Sequence, residues 1–98
     1  MSYNIEVTQD AKEDLAYYPA FERKTIVTEI RAQLTFQPVV ETKNRKQLRH
    51  NPIATWELRI GGYRVFYEVD ELAQMVSIVS VGHKVHNTLW IRGQEVEL

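Results

Sequence analysis

Apolar and polar residues alternate most clearly in the middle of the chain, on either side of a Gly-Gly pair. One alternating run begins at Trp56 and stops before the glycines, and a second begins at Tyr63. Two such runs separated by two glycines are typical of a β-hairpin with a two-residue loop. This loop would place Ile60 opposite Tyr63 and Arg59 opposite Arg64.

The two faces of the predicted hairpin differ in character. The apolar face is expected to lie against the core, and it carries Trp56, Leu58, Ile60, Tyr63, Val65 and Tyr67. The other face is expected to be open to solvent, and it carries Glu57, Arg59, Arg64, Phe66 and Glu68. Like charges directly opposite each other destabilise a sheet. We therefore expect either that a glutamate screens the two arginines or that this face binds an anion.

The residues before the hairpin predict one strand and two helices. Residues 3–7 alternate as a short strand. Asp10, with Glu13 three residues later, resembles a capping box with an aspartate cap. The apolar stripe that follows at helical spacing is Ala11, Leu15 and Tyr18. Pro19 ends this helix, because the residue before a proline is pushed out of the α region.

The second helix is expected to begin near Pro19 or Ala20 and to reach its limit at Pro38. Its apolar stripe comprises Ile26 or Val27, Ile30 and Leu34, with Phe21 or Phe36 closing the ends. Two short helices that meet at a tight break form an αα-hairpin. We expect these helices to cover the apolar face of the β-hairpin.

The segments around and after the hairpin predict a loop, a turn and a strand. Residues 41–54 are polar and basic and predict a long loop, which in a small domain is usually functional or disordered. Residues 70–74 predict a turn. Residues 75–81 are nearly all apolar and predict a central strand buried on both faces, ended by Gly82.

The tail is ambiguous, because residues 83–91 fit a short helix or an extended segment and residues 93–98 look frayed or edge-like. The element order nevertheless predicts an α+β fold, with an N-terminal strand, a two-helix hairpin and then a twisted antiparallel sheet. No repeat or boundary interrupts the chain, so residues 1–98 are expected to form a single domain.

Composition narrows the class of protein. The 98 residues are 44% hydrophobic and 26% charged, which are ordinary values for a globular domain. There is no cysteine, so disulfides and thiolate metal sites are excluded. No apolar run approaches the roughly 18 residues that a membrane span requires. We therefore expect a cytoplasmic protein with no membrane partner.

The net charge of -1 does not indicate nucleic-acid binding, but the charge is unevenly distributed. Residues 1–42 hold four basic and seven acidic side chains, whereas residues 43–92 hold eight basic and four acidic ones. A local basic patch attracts phosphate without a basic whole protein. The basic excess coincides with the predicted loop and hairpin.

The hairpin and the tail supply the candidate chemistry. Arg59 and Arg64 suit phosphate, because a guanidinium presents a planar fork of donors. Glu57 shares their face and is either a general base or the residue that screens them. His83 or His86 could serve as a general acid, since histidine titrates near neutral pH.

A basic run in the predicted loop has two interpretations. It comprises Lys43, Arg45, Lys46 and Arg49, with His50 beside it as a weaker acid candidate. Such a run is most often a solvated loop. Beside the hairpin arginines, however, it would extend a track for phosphates.

Trp90 either pins the tail to the core or stacks on a base. The aromatic residues Tyr17, Tyr18 and Trp56 are expected in the core. His83 and His86 share one side only if the tail is helical, and no third ligand is obvious beside them. We therefore expect no metal site and no cofactor.

Three short motifs occur together at separations that one protein family shows. They are a basic loop ending in Leu48-Arg49, the segment Trp56-Glu57-Leu58-Arg59 followed by Gly62-Tyr63-Arg64-Val65-Phe66-Tyr67, and Val81-Gly82-His83-Lys84. With the order of elements, these motifs make nearly the whole chain similar to the RelE/ParE superfamily of type II toxin–antitoxin toxins.

The resemblance implies a cognate antitoxin that wraps the toxin, docking on the helical hairpin and an exposed sheet edge. RelE-like members are metal-independent endoribonucleases that cleave mRNA in the ribosomal A site, whereas ParE-like members poison DNA gyrase. Arg64 matches the strand arginine that contacts the scissile phosphate in the ribonucleases. Lys84 stands where they have an arginine that supports transition-state charge, and Trp90 where they have a tyrosine that stacks on or orients the nucleotide.

Two features depart from the best-known ribonuclease, RelE. Thr55 and Glu57 stand where it carries two lysines, one of which transfers a proton, and the net charge is less basic than usual. Relatives use a Glu/His or His/His arrangement, for which Glu57, His83 and His86 are available.

The resemblance therefore implies a RelE-like endoribonuclease acting on mRNA on the ribosome. Its implied catalytic set is Arg64, Lys84, His83 and Glu57, and its implied RNA-binding set is Arg59, Arg49, Lys46, Arg45, Lys43 and Trp90. The alternatives are a ParE-like gyrase inhibitor, a catalytically degenerate member that only binds its antitoxin, and an unrelated RNA- or protein-binding domain.

Overall fold

The computed structural model describes residues 2–98 of the chain. Their elements are, in order, β1 (Asn4–Val7), α1 (Gln9–Ala16), α2 (Ala20–Leu34), β2 (Arg45–Gln47), β3 (Trp56–Ile60), β4 (Tyr63–Asp70), β5 (Met75–Val85), β6 (Thr88–Ile91) and β7 (Gln94–Val96). The predicted α+β class is confirmed: a strand comes first, two helices follow, and the strands β2 to β7 come after them.

The strands of residues 2–98 form one sheet in the order β2-β3-β4-β5-β6-β7. β1 lies off this path and pairs in parallel with residues 75–78 of β5. β6 pairs antiparallel with residues 83–85, at the other end of the same strand. Because β4 runs along the opposite edge, β5 is the central strand, as its apolar sequence predicts.

The β3–β4 hairpin has the predicted register. Ile60 pairs with Tyr63 and Arg59 with Arg64, and the pairing continues to Trp56 at the far end of β3. Gly61 has a φ of 58°, in the left-handed region that a residue without a Cβ adopts at little cost. The alternation pattern and the Gly-Gly loop are therefore sufficient to fix this element.

The first helix has a different N-cap from the one predicted. The Thr8 hydroxyl accepts a hydrogen bond from the Ala11 amide at 3.2 Å, so Thr8 and not Asp10 satisfies an otherwise unpaired helix donor. Asp10 lies in the first turn, where its charge interacts favourably with the helix dipole. Pro19 stands before the first residue of α2, as predicted.

Both predicted helix stripes are buried against the apolar face of the hairpin. The buried stripe residues are Ala11, Leu15, Tyr18, Ile26, Ile30 and Leu34, and they share one cluster with Leu58, Val65 and Tyr67. Phe21 and Phe36 are 73% and 67% exposed, so they do not close the ends of α2.

Two expectations for the later segments are wrong. The predicted loop at residues 41–54 contains the strand β2, in which Lys46 pairs opposite Glu57. Gly82 does not end β5, which continues to Val85. A Cβ at Gly82 would lie 2.5 Å from the carbonyl oxygen of Trp90, so the glycine is required by the close approach of β6. The ambiguous tail is extended, as β6 and β7.

The polar face of the hairpin is partly covered, contrary to expectation. Phe66 is fully buried in a second apolar cluster with Ala54 and Leu89. Ile53 and Val96 pack against this cluster, because the segment before β3 and the last strands bring apolar side chains to this side. Solvent therefore reaches this face chiefly at its two ends, at Arg59 and at Glu68.

Candidate functional site

The sheet divides the candidate residues between its two sides. We call the side that carries Glu57, Arg59, Arg64 and Phe66 the arginine face, and the side packed against α1 and α2 the helical face. Arg64 pairs with Gly82, and Tyr63 pairs with His83. Because side chains alternate along a strand, Lys84 lies on the arginine face and His83 on the helical face.

Glu57 lies between the two opposed arginines. Its Oε1 accepts a hydrogen bond from Arg59 Nε at 3.0 Å and lies 4.0 Å from Arg64 Nε. The Glu57 side chain is 2% exposed, whereas that of Arg59 is 41% exposed. A glutamate therefore screens the arginine pair, which is one of the two arrangements expected from the sequence.

The Arg64 guanidinium is folded back onto the hairpin turn. Its Nη1 donates hydrogen bonds to the carbonyl oxygens of Gly61 and Tyr63, both at 2.9 Å. Its Nε is buried and has no hydrogen-bond partner among the described residues. Burial lowers the pKa of Arg64, an effect that Glu57 opposes and Arg59 reinforces. Because this atom has almost no accessible surface, a ligand oxygen would reach it only if the guanidinium turned away from the hairpin turn, and the contact would then satisfy a charged donor.

Lys84 completes a cationic group at the hairpin end of the arginine face. Its backbone amide donates to the Gly62 carbonyl at 2.8 Å, which fixes β5 beside the hairpin turn. The Lys84 side chain is half-buried. Arg59, Arg64 and Lys84 thus come from three adjacent strands, and we call these three residues the cation row.

His83 is separated from the cation row by the sheet. Its Nδ1 lies 2.7 Å from the Tyr18 hydroxyl, and the two rings meet edge to face at 5.7 Å. Burial raises the pKa of Tyr18 well above its ordinary value. The neighbouring Tyr63 donates its hydroxyl to Glu22, and this hydrogen bond raises the pKa of Tyr63 to about 12.

The other tail candidates are also away from the cation row. Trp90 pairs with His83 on the helical face, where Tyr17, His83, Trp90 and Gly93 line a shallow recess. His86 is exposed in the β5–β6 turn, with a φ of 58°. Within residues 2–98, no three histidine or carboxylate side chains come together as a possible metal site.

The basic residues before β3 differ in their exposure to solvent. Lys43, Lys46, Arg49 and His50 are exposed. Arg45 is buried, and its guanidinium donates to the carbonyl oxygens of Val40 and Gln33 at 2.9 and 2.7 Å. Arg45 therefore ties the end of α2 to β2 and presents little charge to solvent.

Two polar residues, Asn51 and Asp14, have structural roles that were not predicted from the sequence. Asn51 organises the segment before β3: its amide nitrogen donates to the carbonyls of Arg49 and Ala54, and its amide oxygen accepts from the amides of Ile53 and Ala54. The signal was the Asn-Pro pair, since asparagine side chains often bond backbone groups in turns.

Asp14 is the second such residue. It is 2% exposed, and its Oδ2 accepts from the Ser80 hydroxyl at 2.9 Å and the Val81 amide at 3.0 Å. Its Oδ1 lies 2.8 Å from Arg92 Nε. The signal was its position within the buried stripe of α1, because a carboxylate on an apolar face requires partners.

The helices of residues 2–98 include none that is both long and apolar enough to cross a membrane.

Comparison with protein families gives one match over most of the chain. Residues 5–87 match a family described as the ParE toxin of the type II toxin-antitoxin system, parDE. No curated protein matches.

Three solved structures are similar along nearly the full chain. The toxin-antitoxin complex RelBE2 from Mycobacterium tuberculosis is 27% identical, with a TM-score of 0.74 over 86% of this chain and 100% of that chain. The RelE-RelB complex from Pyrococcus horikoshii OT3 is 22% identical, with a TM-score of 0.68 over 88% of this chain and 99% of that chain. The isolated Escherichia coli RelE toxin is 21% identical, with a TM-score of 0.61 over 86% of each chain. The last two likenesses concern the fold alone.

Proposed function

The chain belongs to the ParE toxin family of type II toxin–antitoxin systems, and from this premise we propose that it is a RelE-like endoribonuclease acting on translated mRNA in the cytoplasm. The observation that carries the proposal is the cation row, in which three adjacent strands bring Arg59, Arg64 and Lys84 to one face of the sheet. The likeness to the RelBE2 complex supports the RelE-like assignment.

Cleavage of RNA through its own 2′-hydroxyl places additional charge on the reacting phosphate. The 2′-oxygen bonds to phosphorus, the bond to the 5′-oxygen breaks, and the proton lost from the 2′-oxygen is balanced by one gained at the 5′-oxygen. Fixed cations that stabilise such developing charge often supply the largest part of catalysis. Arg64 and Arg59 hold the phosphate in this proposal, and the Lys84 ammonium gives the proton to the 5′-oxygen while water takes the other.

Glu57 and His83 have other roles in the proposed mechanism. Glu57 is buried and hydrogen-bonded to Arg59, so its carboxylate screens the arginines and does not transfer a proton. His83 is bonded to Tyr18 across the sheet from the cation row, so it stabilises the fold. Exposed Lys46, opposite Glu57, and Arg49 next to β2 extend the phosphate track along the arginine face.

We also propose a cognate antitoxin as partner, because the RelBE2 structure is a toxin-antitoxin complex. The strands at the two ends of the path from β2 to β7 differ. The β2 edge is closed, since the Thr42 amide donates to the Arg45 carbonyl and the Gln47 amide donates to Glu41. β7 stands at the opposite end of the sheet. An antitoxin strand added to β7 would use a common mode of peptide recognition, and co-purification with the product of an adjacent gene tests for this partner.

The direct test is mRNA cleavage in a reconstituted translation reaction. Purified protein should cut mRNA at the ribosomal A site. Arg64→Ala should reduce the rate by about a hundredfold or more, because it removes a preorganised charge on the phosphate. Arg31→Ala, which removes an exposed arginine from α2, is the matched control and should leave the rate unchanged. Intact mRNA in the presence of folded wild-type protein would overturn the proposal.

A ParE-like inhibition of DNA gyrase is the second candidate. The family match favours it. The structure also favours it, because the carboxylate candidate Glu57 and the imidazole candidate His83 lie on opposite faces of the sheet, and an inhibitor that only binds needs no acid–base pair. Inhibition of gyrase supercoiling by this protein, with mRNA left intact, would support this candidate over the ribonuclease. If overexpression leaves growth unchanged, the chain is a degenerate member that only binds its antitoxin.

A further inference from the structure

The carboxylate of Glu57 lies where an incoming phosphate would approach the arginine pair. One oxygen, Oε1, bonds Arg59 Nε at 3.0 Å and faces Arg64 Nε at 4.0 Å. Arg64 Nε is the buried donor without a hydrogen-bond partner. A phosphate bound by the two guanidinium groups would therefore come close to the negative charge of Glu57.

The burial of Glu57 makes its charge effective. At 2% exposure the carboxylate is shielded from water, and charges in such surroundings interact more strongly than at the surface. Two guanidinium groups and one carboxylate leave a single positive charge on the pair. The arginine pair is thus half neutralised by the protein itself before any ligand binds.

We infer that Glu57 acts as a built-in competitor of ligand phosphate, so that it weakens RNA binding at the cation row and restricts the site to ligands that offer several phosphates at once. The inference rests on the proposed function, because it assumes that phosphate binds at Arg64. In this role Glu57 is a specificity-determining residue. A single phosphate would interact with the one net positive charge that remains on the arginine pair. A longer strand would also contact Lys84 and the exposed basic residues.

Glu68 provides a matched comparison on the same chain. It belongs to the adjacent strand β4, is exposed, and accepts a hydrogen bond from the Thr55 amide at 3.1 Å. This carboxylate is therefore bonded to a backbone amide, whereas that of Glu57 is bonded to an arginine. Replacing either glutamate by glutamine changes the net charge equally, so a difference between the two variants reports the contact with the arginines.

The experiment measures binding of a fluorescently labelled, single-stranded 2′-O-methyl oligonucleotide, which carries phosphates and cannot be cleaved through its 2′-oxygen. Glu57→Gln should bind about tenfold more tightly than wild type at low salt, because a nearby like charge is removed from the phosphate. The dependence of log affinity on log salt should steepen by about 0.7, the value for one additional neutralised phosphate on a single strand. Glu68→Gln should show a much smaller change in both quantities.

A second pair of variants covers the case in which Glu57→Gln does not fold, since its arginines would then be opposed without a screen. Glu57→Gln/Arg59→Gln keeps the wild-type net charge and removes the opposed pair. It should bind the oligonucleotide more tightly than Arg59→Gln alone. If both glutamine substitutions at Glu57 leave affinity and salt dependence unchanged, the inference is overturned.

Arg64→Gln separates this failure from failure of the proposed function. If Arg64→Gln weakens binding but substitutions at Glu57 have no effect, phosphate binding at the cation row stands and the competitor role is wrong. If Arg64→Gln leaves binding unchanged, phosphate does not bind there, and the proposed function and the inference both fall.

Discussion

The hydroxyl of Tyr18 and Nδ1 of His83 lie 2.7 Å apart, and this contact joins the break between the two helices to the central strand. Tyr18 also meets Tyr63 edge to face at 5.5 Å, so the histidine belongs to a packed aromatic group. The histidine suggested by the sequence as a general acid is thus part of what holds the helices on the sheet.

Tyr18→Phe tests this structural role. The substitution removes one hydrogen-bonding hydroxyl and keeps the ring, so the free energy of unfolding should fall by about 1 kcal/mol. Urea denaturation measures the change, and mRNA cleavage should be unaffected. Tyr17→Phe is the control, because Tyr17 is 52% exposed and should be nearly neutral. Loss of cleavage in folded Tyr18→Phe protein would instead place His83 in the chemistry.

Asp14→Ala should be strongly destabilising. It leaves the Val81 amide and the Ser80 hydroxyl without their acceptor and Arg92 without a buried partner, at a cost of about 3 kcal/mol. Glu13→Ala is the matched control, since Glu13 contacts the same arginine at 3.0 Å from an exposed position. Exposed ion pairs contribute at most about 1 kcal/mol. Equal losses of stability in the two variants would contradict the buried role of Asp14.

Gly82→Ala should disturb the junction of β5 and β6. The new Cβ would lie 2.5 Å from the Trp90 carbonyl oxygen and 2.9 Å from Ile91 Cγ1. The first is a backbone atom and the second is not the far end of a flexible side chain, so neither can move away easily. We expect the free energy of unfolding to fall by about 1–3 kcal/mol, and thermal denaturation measures this change. Gly62→Ala is the comparison, because its nearest neighbour would be at an ordinary 3.8 Å. An unchanged midpoint for Gly82→Ala would show that β6 is not held this closely.

Stability at high pH should depend on Tyr63. Its pKa is raised from 10.0 to about 12, chiefly by the hydrogen bond to Glu22, so the folded state holds this proton more tightly than the unfolded state. The contribution is therefore fully present below pH 10 and is lost as pH rises from about 10 to 12. Tyr63→Phe should lose less stability than wild type across this interval in urea titrations. Parallel curves for the two proteins would contradict this coupling.

The sequence predicted the register of the hairpin correctly, because that information is local. Alternation assigns each residue of β3 and β4 to a face, and the glycines set the loop, so the opposition of Arg59 and Arg64 follows without knowledge of the rest of the fold. The helix stripes were also correct, because helical spacing depends only on near neighbours. The first N-cap was missed because Thr8 and Asp10 are both good caps and stand two residues apart.

The state of the arginine face could not be predicted because it depends on distant segments. Glu57 is buried where the segment before β3 and the last strands bring Ile53, Leu89 and Val96 to its side of the sheet. The tail was ambiguous between helix and strand, so its contribution to this face was unknown. The face on which His83 lies could not be predicted either, because β5 was expected to end at Gly82. Its alternation in fact continues to Val85 and assigns His83 to the helical face.

The parallel pairing of β1 with β5 also has a consequence for biosynthesis. Asn4 pairs with Met75 and Val7 with Ile78, so a segment that is synthesised before both helices has its partner after β2, β3 and β4. Loop-closure entropy must be overcome before such distant contacts form, and this slows folding. During translation β1 therefore has no strand to pair with until β5 has been synthesised, and a chain terminated before β5 would lack the central strand of the sheet.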